Sequence, residues 1–136
     1  LEQAPEKTQS HYLLSLAYFH QGEAVATAEK QKAQALYEKS ALYARQAAAR
    51  NPQFGFAHMV LGLSLKKLAK NGEALAAFRQ AVLCNPEHAD NHLFLGEALA
   101  EIGQIEAART HLGQALLLGR PEDGRARALL DALDGR

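Results

Sequence analysis

Apolar residues recur at helical spacing along nearly the whole chain, and no stretch of useful length alternates with the period of a strand. Glycine and proline punctuate Ala- and Leu-rich runs of high helix propensity. Thr8 to about His20 predicts a first helix with Tyr12, Leu13, Leu16 and Phe19 on one side, broken by Gln21-Gly22-Glu23. Ala24 to Arg50 then runs 27 residues without Gly or Pro. It predicts one long helix of roughly 40 Å at about 1.5 Å per residue, stopped by Asn51-Pro52. Phe54 to Lys70, closed by Asn71-Gly72, and Glu73 to Cys84, closed by Asn85-Pro86, predict the next pair. Ala89 to Ile102 and Glu106 to Leu118 predict another, split by Gly103. Pro121, with Glu122 and Asp123 at the positive end, suits the first turn of a last helix. That helix carries an apolar stripe of Ala126, Leu129, Leu130 and Leu133 and stops at Gly135.

The runs repeat. Asn51-Pro52 and Asn85-Pro86 lie 34 residues apart. His58-x-x-Leu61-Gly62-x-x-Leu65 aligns with His92-x-x-Leu95-Gly96-x-x-Leu99, and Ala74-x-x-x-Phe78-x-x-Ala81 with Ala108-x-x-x-Leu112-x-x-Ala115. A fixed period of this length marks stacked helical units, each unable to bury both its faces alone. Gly62 and Gly96, lacking side chains, would let a neighbouring helix approach closely. Leu61, Leu65, Phe78, Leu95, Leu99 and Leu112 would fill the space between.

The pattern resembles the tetratricopeptide repeat, whose signature runs W-x2-L-G-x2-Y, then A-x3-F, then P. His58 and His92 stand in the Trp place, Leu65 and Leu99 in the Tyr place, Leu112 in the Phe place, and Pro121 falls one residue late. A degenerate unit precedes these: His11-x-x-Leu14-Ser15-x-x-Tyr18 copies the first helix, and Ser40, Ala44, Ala47 and Pro52 copy the second. His11 to His58 is 47 residues, 13 longer than the period, and the excess is expected in the long helix ending at Arg50. The resemblance implies an all-α, right-handed solenoid of helix-turn-helix repeats in one domain. Its parts would be an extended unit over 8–52, repeats over 53–86 and 87–120, and a C-terminal capping helix over 121–134.

Composition narrows function. Lys and Arg balance Asp and Glu over the 136 residues, which argues against a nucleic-acid binder, where a basic stripe is expected. Residues 1–79 hold ten basic against six acidic side chains, and residues 80–136 five against nine. The plain reading is two solvated faces of opposite sign; the sharper one is end-to-end self-association or a dipolar partner. Cys84 is the only cysteine, so no intrachain disulfide forms. No run approaches membrane-spanning length. The chain opens on Leu1-Glu2 without a signal peptide, which leaves a processed fragment open. Compartment stays undecided, with the cytoplasm preferred and the periplasm fitting a processed product.

No catalytic constellation assembles. Ser15, Ser40 and Ser64 lack His/Asp partners, and Cys84 reads as a small core residue. His88-Ala-Asp90-Asn-His92 has ligand types but no third Cys or His nearby in sequence. His11, His58 and His92 sit one per unit, too far apart for one ion, and read as half-buried hydrogen-bonding residues. We expect no enzyme, metal or cofactor.

By the resemblance, the inner faces of the first helices line a concave groove. The residues so assigned are Tyr12, Leu13, Leu16 and Phe19, then Phe56, Met59, Val60, Leu63 and Lys67, then Asp90, Leu93, Phe94, Glu97 and Glu101. Val60, Leu63 and Phe94 stand where chaperone-binding members grip a terminal carboxylate with Asn and Lys/Arg, so that clamp is not carried over. The same holds for the Asn ladder of sugar-transferase repeat regions. Lys67 and Glu101, at equivalent positions, read as a surface pair. The resulting expectation is a non-catalytic scaffold or adaptor that binds an apolar or amphipathic segment of another protein. The rival expectation is the repeat region of a larger enzyme, such as a glycosyltransferase or methyltransferase, with its catalytic domain elsewhere. A groove filled from within, or by a second copy, is the structural alternative.

Overall fold

The computed structural model describes residues 5–119 and 124–135. Seven helices are present there, with no strand among the described residues: α1 (Pro5–Val25), α2 (Lys30–Arg50), α3 (Gly55–Lys67), α4 (Asn71–Cys84), α5 (Ala89–Glu101), α6 (Ile105–Leu118) and α7 (Arg125–Leu133). The chain divides into two compact units, Leu1–Cys84 and Asn85–Arg136. In the first, α1 pairs with α2, α3 packs on both, and α4 pairs with α3. In the second, α5 pairs with α6, and α7 lies mainly on α6.

The expected single helix over 24–50 is not there. The chain turns at Ala26–Glu29, where Glu29 N–H bonds to the Val25 carbonyl at 2.8 Å. No Gly or Pro marks the turn. Both flanking helices carry apolar faces that bury against each other, and tertiary packing outweighs local propensity. Conversely, Gly22 does not break α1. A Cβ on Gly22 would lie 2.8 Å from the Tyr37 ring, so its missing side chain seats that ring against the helix. The 13 extra residues therefore sit at the tip of the hairpin. Five lengthen the end of α1, one the turn, and seven the start of α2, relative to α3 and α4.

The pairs close through the expected glycines. A Cβ on Gly62 would fall 2.5 Å from Phe78 Cε1, and one on Gly96 2.8 Å from Leu112 Cγ and 3.2 Å from its backbone N. Phe78, Leu112, Leu65, Leu95 and Leu99 are all buried. The main core cluster of the first unit is Phe19, Ala33, Tyr37, Ala44 and Val60. Three fully buried serines of the same helices are joined: Ser64 Oγ–H donates to Ser40 Oγ at 2.8 Å, and Ser40 donates to the Ser15 carbonyl at 2.7 Å. The three serines without catalytic partners thus tie α1, α2 and α3 together.

Helices α3 and α5 end alike, and the stop at Asn71-Gly72 moves accordingly. Lys70 N–H reaches back to the Leu65 carbonyl and Gln104 N–H to the Leu99 carbonyl, both at 2.9 Å. Between them Ala69 and Gly103, 34 apart, take φ of 61° and 83°. This is the left-handed cap that glycine favours. Asn71 and Gly72 already belong to α4. The expected opening of the last helix at Pro121-Glu122-Asp123 lies outside the described residues. Among those described, no helix is long and apolar enough to cross a membrane.

Two tests follow from these contacts. Gly62→Ala should cost about 1–3 kcal/mol in urea unfolding, because the added methyl must displace the buried Phe78 ring. Ala69→Gly should instead gain about 0.5–1 kcal/mol, since a left-handed alanine costs more than the chain entropy that glycine adds.

Candidate functional site

The first helices carry the residues expected to line a binding groove, and the structure sorts them. In the first unit Val60 is fully buried and Phe19 nearly so, both inside the main cluster. These two belong to the core rather than to an open surface. Val60, on α3, is clustered with Phe19 of α1 and Ala33, Tyr37 and Ala44 of α2, while the Phe19 ring packs on Tyr37 with centroids 5.6 Å apart. Tyr12, Leu16, Met59 and Leu63 are half-buried against the same cluster. Phe56 is half-buried, with its ring near Tyr12 and Phe54. Leu13 is exposed over 53 % of its surface.

Lys67 takes a partner the repeat register did not indicate. Its Nζ lies 3.3 Å from Glu23 Oε1 on α1. The same carboxylate accepts a hydrogen bond from the Tyr37 hydroxyl. Beside this cluster opens a pocket of about 430 Å³, lined by Ala26, Lys30, Ala33, Gln34, Tyr37 and Lys67 among others. It forms where the longer α1–α2 hairpin passes the end of α3. Sequence reasoning missed Glu23, Lys30 and Tyr37. Their only signal was the 13-residue excess, assigned there to a single helix. Burial, then the bond to Glu23 and its charge, push the Tyr37 phenol above its usual range; burial alone does so for Tyr12.

In the second unit Asp90 and Glu101 are exposed, and Leu93 and Phe94 half-buried. Glu97 is mostly covered, its carboxylate bound to Arg125 at the start of α7. Asp90 and Leu93 border a small crevice that Arg125 and Ala126 also line. The last described helix thus covers part of this stretch of α5.

His11, His58, His92 and His111 make hydrogen bonds within the protein. His58 Nε2–H donates to the Pro52 carbonyl at 2.9 Å, and His92 Nε2–H to the Pro86 carbonyl at 2.6 Å. Each closes its own Asn-Pro turn onto the following helix. With Nε2–H so committed, neutral His92 accepts at Nδ1, and His111 Nδ1–H, 3.1 Å away, is the donor. His11 Nδ1 bonds instead to the Lys7 carbonyl at 2.6 Å. Cys84 is half-buried, its thiol donating to the Pro52 carbonyl at 3.5 Å. Among the described residues no three His, Cys, Asp or Glu side chains gather in the manner of a metal site.

Paired helices with glycine-seated contacts at a 34-residue register define a helical-repeat protein of the tetratricopeptide class. The tetratricopeptide repeat family model matches residues 67–133, and the chain belongs to that family. Solved structures share the fold. One is the type III secretion chaperone SycD of Yersinia enterocolitica in complex with a peptide of the translocator YopD. It has a TM-score of 0.78 and 13% identity, over 96% of this chain and 95% of that one. Another is the first tetratricopeptide domain of Spaghetti (RPAP3) bound to an HSP90 peptide, with TM-score 0.72 and 16% identity over 91% and 93%. A third is a thermophilic tetratricopeptide protein of Thermus thermophilus, with TM-score 0.75 and 19% identity over 95% and 64%. No curated protein sequence matches. At these identities the likeness is one of fold.

The Tyr37 phenol gives a pH test. Its folded pKa is raised, so its contribution is complete below about pH 10, the unfolded value, and is lost as pH rises above it. Tyr37→Phe should flatten the fall in stability between about pH 10 and 12 while costing about 1 kcal/mol at pH 7 for the lost hydrogen bond. Urea midpoints across that range check both.

Proposed function

We propose that the chain is a non-catalytic protein-binding module, a scaffold or adaptor that takes an apolar or amphipathic segment of a partner protein on the inner faces of its first helices. We assign its units to 8–52, 53–86 and 87–120, with a cap over 121–134. The observation that carries the reading is the band of incompletely covered apolar residues in the first unit: Leu13 exposed, and Tyr12, Leu16, Phe56, Met59 and Leu63 only half-buried. An apolar band of this kind favours a partner with an apolar face of its own. Two of the solved structures that share the fold are complexes with peptides, which supports the same reading. Within the second unit Leu93 and Phe94 are likewise half-buried, and the exposed Asp90 and Glu101 of the same helix supply charge to orient the partner.

Val60 and Phe19, being core, are withdrawn from the contact set. Phe94 stays in it and gives the sharpest test beside its buried neighbour Leu95. Leu95→Ala should cost about 2–5 kcal/mol of stability, and Phe94→Ser markedly less. Binding should show the reverse order, with Phe94 a hot spot. Proteins captured by the native chain should be lost with a Met59→Ser/Phe94→Ser variant of unchanged helicity. If that variant captures the same set, the reading fails; if Phe94→Ser melts as low as Leu95→Ala, Phe94 belongs to the core.

A further inference from the structure

A second surface lies on the α1–α2 hairpin, on the side turned away from α3. Leu14 and Tyr18 fill the places that Leu61 and Leu65, and Leu95 and Leu99, fill in the later repeats. Leu65, Leu95 and Leu99 are buried, yet Leu14 is 43 % exposed. On α2, Leu42 is 49 % exposed, at a register place taken by the smaller or polar Ala76 and Thr110 in the later units. Aromatic rings knit the two helices into one face. Tyr18 and Tyr43 stack with centroids 5.7 Å apart, His11 lies 5.9 Å from Tyr43, and Lys39 Nζ sits 5.5 Å from the Tyr18 ring centre.

The charges on this face have one sign. Lys7 lies one heptad before Leu14, and Lys32, Lys39 and Arg50 follow the same line along α2 as Tyr43. Lys32 has an exposed partner, Glu29, at 3.6 Å. At about 100° per residue, Glu6, Glu23 and Glu38 lie about 90° or more from the midline of the face, and Glu29, just before α2, is the acidic group paired with Lys32 at its edge. The face therefore has an apolar, aromatic centre with a basic margin.

We propose that this face docks an amphipathic helix of a partner protein, with an apolar stripe for Leu14, Tyr18, Leu42 and Tyr43 and acidic flanks for Lys7, Lys39 and Arg50. The surface is separate from the inner-face site, and it stands or falls independently of that reading. A helix laid along two antiparallel helices uses i, i+3, i+4 and i+7 anchors, and marginal charges set its direction and partner choice.

The probe is a fluorescent synthetic helix of about 18 residues, leucines on one stripe and glutamates on both flanks, set against the same peptide with lysine flanks. The acidic peptide should bind saturably to the full chain, and the lysine peptide about tenfold more weakly or not at all. Leu14→Ser and Leu42→Ser should each weaken binding about tenfold with melting temperatures unchanged, since both side chains are exposed. Lys39→Glu should reduce the preference for acidic flanks, and added salt should do the same. Equal binding of the two peptides, or no saturable binding, overturns the proposal. Loss of binding with Met59→Ser but not Leu42→Ser would place the peptide on the inner face and overturn it too. Sedimentation showing a dimer that Leu42→Ser dissociates would assign the face to a second copy instead.

Discussion

The missing side chains at Gly62 and Gly96 set the distance at which paired helices meet. Any Cβ there would enter the van der Waals envelope of Phe78 or Leu112. At that spacing a large residue on one helix seats directly on the backbone of the other, and the alanines Ala74, Ala81, Ala108 and Ala115 are buried along the same pairs. Close-packed interiors leave no slack to absorb an extra methyl, so the pair geometry is fixed locally and then repeated. The first unit reaches a comparable end by other means. Ser15 takes the glycine place and is fully buried, and the Ser64–Ser40–Ser15 hydrogen bonds satisfy groups that would otherwise be costly to bury.

The Asn-Pro turns are held just as locally. Proline has no N–H to offer but keeps its carbonyl, and that carbonyl receives the ring N–H of a histidine six residues on, in both units. His58 and His92 stand at the Trp place of the family signature, and there each imidazole serves as a donor that ties its turn to its helix. In the second unit His111 extends the contact, whereas its register equivalent in the first is the small Ala77.

Much of the fold was legible because its cues are periodic. The 34-residue register located Gly62, Gly96, Phe78 and Leu112 correctly, and the helix pair over 89–118 lies within a residue of its expected bounds. What failed was aperiodic. The turn at Ala26–Glu29 has no breaker, so composition read a continuous helix, and only the packing of α1 on α2 ends it. Ala69 hides a left-handed cap behind an ordinary side chain, although its register partner Gly103 signals the conformation. The site residues were less legible than the fold. Val60 and Phe19 were placed on the inner face by the family resemblance, but a resemblance does not tell how far a neighbour closes over them. The pairing of Lys67 with Glu23 spans 44 positions, and no spacing rule reaches that far.

The lengthened hairpin bears on how such a protein tolerates change. All 13 additional residues lie beyond the level where α3 ends, so the base of the hairpin keeps its register with the rest of the unit. An antiparallel helix pair is open at its tip: the chain can grow there, in α1, the turn and α2 together, without rotating any packed face. An insertion at the Asn-Pro end would instead shift the histidine relative to its prolyl carbonyl and the serines relative to each other. The two ends of the same helices thus differ in evolutionary freedom. One is an end where length can be added beyond the packed Gly22 and Ala33, and the other is a fixed origin from which the unit is measured.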